Sequence, residues 1–364
     1  MSGREQQGPC VHDLDIVFAQ PSDQSSRDQF KTLGAGCTSG AGGTGCAYPP
    51  AIYIATANRF KLYGLRIEGA WDGIVNAPNN STGGYFLDTI EIGALNVGLS
   101  TNGSLDTNHY SHLHFWPFGL NDGDLYRHVY MDGNTYAAKI DDGGQFFDIT
   151  VVNARFALTS NFTWGTITDL QLDGDNSTLE VAANTSPGLQ LEGVYATGMA
   201  SNGDAHCQID IAVKNFETTI TNLNAVPQGS GNPGTALCVA GGTVVLQGGW
   251  ISPQNPSSRA ALVTGGNLRV DGVSFGPNVG AGRWIVPLVS VTGGSIAFQN
   301  NTFPISVGDV GGLVTVDNPY NIVAGNNFNG WGFTPPGEKG IYGISCNGPP
   351  SPHFASRNGV VTHC

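Results

Sequence analysis

Six times along this chain one short phrase returns: apolar, any residue, apolar, polar, then Gly or Asn. It reads Leu65-Arg66-Ile67-Glu68-Gly69, Leu170-Gln171-Leu172-Asp173-Gly174 and Leu189-Gln190-Leu191-Glu192-Gly193. It returns as Val244-Val245-Leu246-Gln247-Gly248, Leu268-Arg269-Val270-Asp271-Gly272 and Ile296-Ala297-Phe298-Gln299-Asn300. A strand-sized phrase recurring every few tens of residues is the mark of a solenoid. Alternation at every second residue makes each repeat a strand with one buried face. No helical period of useful length interrupts it. The expectation is an all-β, right-handed parallel β-helix of roughly ten to twelve turns, spanning residues 1–334, with a capping tail at 335–364. Two departures interrupt the repeats: a loop at 21–50 and an aromatic insertion at 119–147.

Composition supports that architecture. Gly accounts for 53 of 364 residues, about twice the usual ~7%. Such a chain turns sharply several times per repeat. Charged residues make up 12%, about half the ordinary ~25%. The net charge of −13 argues against nucleic acid, because phosphate binding needs a basic footprint. An acidic groove also repels a polyanion, so a neutral or mildly acidic glycan is the easier ligand. No apolar run is long enough to span a membrane, so no membrane partner is expected. Strand-like sequence begins at Val11 without an apolar leader, which reads as a chain whose upstream part lies elsewhere.

Of the seven cysteines, Cys37 and Cys46 flank a Gly-rich loop and read as a loop disulfide. Cys207 with Cys238, and Cys346 with Cys364, are further candidate pairs, which leaves Cys10 over. Free thiols are the competing reading, and connectivity stays open.

The Gly- and Asn-marked corners and the absence of helix resemble the right-handed parallel β-helices of the pectate-lyase-like superfamily. Within it the chain resembles phage or prophage tailspike proteins. The segment that carries this is Tyr110-Ser111-His112-Leu113-His114-Phe115-Trp116-Pro117-Phe118-Gly119, preceded by Ile90-Glu91-Ile92-Gly93 and followed by Gln171-Leu172-Asp173-Gly174. The resemblance implies a homotrimer on a virion tail, or outside the cell, that binds and cleaves a bacterial capsular or exopolysaccharide. The particle-binding region that such proteins carry at the N-terminus has no counterpart here.

The phrases suggest a carboxylate site. Asp173 and Glu192 hold the same phrase position and are expected about one strand spacing apart, with Asp175 two residues beyond. Two close carboxylates serve as acid and base in glycoside hydrolysis. The competing reading is a corner ladder, since Glu68, Gln247, Asp271 and Gln299 hold that position too. Asp141 and Asp142 in the insertion, and Asp204 in a later loop, are second candidates for the partner carboxylate. Asp-Gly turns are their plainer reading. Trp116, Trp164, Tyr130 and Tyr195 offer flat rings with a polar tip that suit sugar faces. Arg127 and His128, with Tyr130 and Lys139, supply a base and a charge neutraliser for a lyase acting on a uronate. No metal site and no cofactor are expected, because the eight His do not share a ligand spacing. A glycan-binding fibre without catalysis is the remaining alternative.

Overall fold

The computed structural model describes residues 10–18, 49–55, 58–77, 83–104, 107–117, 135–174, 177–182, 188–199, 207–213, 217–228, 234–255, 257–276 and 288–303, and short strands at 314–316, 322–324, 327–328 and 344–346. Every strand pairing with a resolved register is parallel, and no helix occurs among the described residues. The chain is thus an all-β parallel solenoid. It divides into two compact units, Met1–Gln171 and Leu172–Cys364.

In the first unit the strands Cys10–Val17, Lys61–Asn76, Phe86–Ser100, Asn108–Phe115 and Gly144–Val152 stack in that order. Leu65, Ile90, Leu113 and Ile149 form one inward column, and Ile67, Ile92, Phe115 and Val151 the next. All eight are 2% exposed or less. Each such burial stabilises the stack by roughly 1.5–3 kcal/mol. A core run of rings adds to this: Phe60 lies 4.2 Å from Tyr85, and Tyr110 stacks on Phe146 at 4.5 Å.

The alternation contains one deliberate break. Tyr63 pairs with Asp88 and Leu65 with Ile90, which leaves Gly64 beside Thr89 as an extra residue. Both have positive φ, and so do Asp13, His112 and Asp148 at the same place on their turns. A left-handed residue turns the strand and restores the inward phase on its far side. For a residue with a Cβ this conformation costs roughly 1–2 kcal/mol.

The second unit repeats the device. Glu192, Thr221, Gln247, Asp271 and Gln299 pair in sequence. The residues that follow them, Gly193, Asn222, Gly248, Gly272 and Asn300, all have positive φ. A disulfide joins Cys207 to Cys238 in this unit. These cysteines lie on the adjacent strands Cys207–Ile211 and Thr235–Val239. Cys10 is a free, exposed thiol. The other proposed pairs, Cys37 with Cys46 and Cys346 with Cys364, involve residues outside those described.

Turn length varies while the register holds. Equivalent residues are 23 apart from Ile90 to Leu113, 36 from Leu113 to Ile149, 29 from Leu189 to Thr218 and 24 from Val244 to Leu268. The 36-residue turn carries the segment expected as an aromatic insertion, part of which is the strand Tyr136–Ile140, and the longer step of 51 residues from Leu14 to Leu65 carries the loop at 21–50. Most of that insertion, most of the loop at 21–50 and most of the tail at 335–364 lie outside the described residues.

Candidate functional site

Outward positions on successive turns stack as strictly as inward ones. In the first unit one outward column runs Asp15, Arg66, Glu91, His114, Thr150. The Arg66 guanidinium joins two carboxylates: Nη2 contacts Glu68 Oε1 on its own strand, and Nε lies 3.6 Å from Glu91 Oε2 on the next turn. The Glu91 side chain is half exposed, whereas Glu68 is largely covered. His114 comes next, and its ring meets the Trp116 indole edge-on at 5.7 Å. Trp116 itself is 42% exposed. Partial burial holds the His114 imidazole below its ordinary range, and the nearby Glu91 and Asp148 carboxylates only partly offset this. His114 is therefore neutral near pH 7.

Beside it, Asp88 gathers two donors. Ser111 Oγ donates to Asp88 Oδ1 at 2.7 Å, and His112 Nδ1 lies 2.8 Å from the same oxygen. Desolvation raises the Asp88 carboxyl, but the bonds from His112 and Ser111 together outweigh it and hold it below the usual carboxylate range. Ser111 and His112 both turn to the carboxylate, so this is a brace and not a nucleophile–base relay.

The residues singled out by sequence fall in several places. Asp173 and Glu192 do not form the expected neighbouring pair. Asp173 Oδ1 accepts a 2.7 Å hydrogen bond from Thr197 Oγ1, 24 residues on. Glu192 instead stacks on Thr221 in another column. The left-handed residues explain the offset, because Asp169 and Gly193 are also 24 apart. The phrase ending at Asp173 follows its corner residue, whereas the phrase ending at Glu192 precedes its own. Matching the two by sequence slips the register by five residues.

Asp141 and Asp142 sit where a turn closes. Asp142 is 6% exposed; it accepts Asn108 Nδ2 at 2.9 Å, Ser104 Oγ at 3.4 Å and the Gly143 N–H at 2.6 Å. Asp141 accepts from the Thr159 hydroxyl, the Gly103 N–H and Asn161 Nδ2. These bonds tie adjacent turns together. Trp164, 37% exposed, lies against Gly143, where any Cβ would stand 2.8 Å from the indole. Tyr195 is 45% exposed in the second unit. Lys139 lies over the Tyr136 ring at 4.0 Å. Asp175, Asp204, Arg127, His128 and Tyr130 lie outside the described residues.

Sequence reasoning passed over Arg66, Glu91 and His114. The signal was available: each is the middle residue of an apolar–x–apolar triplet, Leu65-Arg66-Ile67, Ile90-Glu91-Ile92 and Leu113-His114-Phe115. Among the described residues no group of three His, Cys, Asp or Glu is placed to hold a metal. No protein-family model, no curated protein and no solved structure matches this chain.

Proposed function

We propose that this chain is a tailspike-type polysaccharide depolymerase, a homotrimer on a phage tail or outside the cell that binds and hydrolyses a bacterial capsular or exopolysaccharide. One observation carries the reading: Arg66, on the outward column that continues to Glu91 and His114, contacts Glu91 on the next turn and Glu68 two residues along its own strand, and the exposed Trp116 lies against His114. Glycoside hydrolysis needs one carboxyl to protonate the leaving oxygen and one carboxylate to activate water or attack the sugar. Glu91 and Glu68 are the two carboxyl groups offered for these roles. Trp116 offers a stacking face for a sugar ring. The parallel solenoid is compatible with this activity without establishing it.

A second reading has its own observation. A neutral imidazole at His114, two turns from a guanidinium at Arg66, supplies the base and the charge neutraliser of a lyase acting on a uronate.

The test spots purified chain on lawns of encapsulated bacteria, beside Glu91→Gln, Glu68→Gln, His114→Ala and Asp175→Asn. Halos lost in both glutamate variants, with reducing ends released by the parent chain, support hydrolysis. Product carrying the ultraviolet absorbance of an unsaturated uronate, lost in His114→Ala, supports the lyase. Loss in Asp175→Asn alone moves the site to the second unit. Glycan binding without turnover makes the chain a receptor fibre.

A further inference from the structure

We propose that Tyr195, Asn224 and Trp250, stacked on the outward face of the second unit, bind a neutral, extended polysaccharide that repeats every two sugars. This rests on the glycan reading above but uses other residues and requires no catalysis. The register runs Tyr195, Asn224, Trp250, Ser274 on successive turns. The two rings are 45% and 37% exposed, and Asn224 and Ser274 are exposed with them. Neighbouring parallel strands lie about 4.8 Å apart, so the rings sit roughly 10 Å apart along the stack. In a ribbon-like β-1,4-linked glycan each sugar is flipped relative to the last. Sugars one and three present the same face, and one sugar advances by about one solenoid turn. Tyr195 and Trp250 therefore meet alternate sugars face to face. Asn224 lies under the sugar between them, where its amide can donate to and accept from ring hydroxyls.

The Trp250 ring is seated for this. A Cβ at Gly276 would stand 2.7 Å from the indole nitrogen and 2.8 Å from Ser252 Oγ, so the nitrogen edge of the ring lies close against Gly276 while the ring as a whole stays 37% exposed. Charge selects the ligand class. The column Tyr195, Asn224, Trp250, Ser274 carries no Asp, Glu, His, Lys or Arg, and the polar ladder beside it contains Glu192 and Asp271. Arg269, on the strand Asn267–Asp271, is 3.3 Å from Asp271. A polyanion is disfavoured there and a neutral ribbon is not.

The experiment is calorimetric titration of the full chain with cellohexaose, xylohexaose and β-1,4-mannohexaose, with isomaltohexaose as the flexible α-linked control. The expected result is binding of at least one β-1,4 probe and none of the control. Tyr195→Ala and Trp250→Ala should each weaken that binding about tenfold, while Trp250→Phe retains most of it. Melting curves of the variants separate lost binding from lost fold. No binding of any β-1,4 probe, or binding unchanged in both alanine variants, overturns the proposal. Halos without probe binding defeat this inference alone. Probe binding without halos leaves it standing and defeats hydrolysis.

Discussion

At the scale of single residues, the corners and the close turn-to-turn contacts make opposite demands on glycine. Gly272 has φ +69° and open space where a Cβ would go, so Gly272→Ala meets only backbone strain, about 1 kcal/mol. At Gly98 a Cβ would lie 2.5 Å from the Ala137 carbonyl oxygen and 2.9 Å from the Phe115 ring. Gly98→Ala should cost more, roughly 1–3 kcal/mol. Urea unfolding of the two variants checks the order. His114 adds a pH dependence. Its folded pKa is depressed by burial, so the stability it contributes is present above the ordinary imidazole value and is lost as pH falls through the depressed one. His114→Gln should flatten the decline in melting temperature between about pH 7 and pH 5. A variant that melts with the parent's slope would contradict this.

At the scale of elements, what was legible in sequence and what was not have one physical origin. Inward columns such as Leu65, Ile90 and Leu113 announce themselves because burial tolerates only apolar side chains. The strands and their parallel stacking were therefore readable. The corner residue was not, because it is Gly at 64 and 193 but Asp at 13, 148 and 169, Thr at 89 and His at 112. A search for Gly or Asn finds some corners and misses the rest. Asp173 and Glu192 looked equivalent for that reason. Asp142 was visible as a carboxylate, but its partners Asn108 and Ser104 are 34 and 38 residues away. Asp142→Ala removes an acceptor from the buried Asn108 amide. It should cost roughly 1–3 kcal/mol or more in denaturant unfolding, with Asp142→Asn milder. The Cys207–Cys238 bridge spans 31 residues. Its removal by paired Ser substitution should lower stability by roughly 3–4 kcal/mol on loop-entropy grounds, read as a lower melting temperature that reducing agent reproduces in the parent.

At the scale of the whole molecule, every functional assignment rests on which side chains share a column, and in each unit the columns rest on that unit's own register. With a net charge of −13 and no reliance on a basic surface, binding of a neutral glycan should change little as salt is raised. The left-handed corner residues set that register. The most direct measurement is disulfide trapping in the full chain, with peptide mapping of two double variants under mild oxidation. Stacked parallel neighbours place their Cα atoms within the 4.4–6.8 Å that a disulfide needs. Asp173→Cys with Thr197→Cys should cross-link efficiently, and Asp173→Cys with Glu192→Cys should not. The reverse pattern would restore the carboxylate pair suggested by the repeated phrase and contradict the register that the corner residues set.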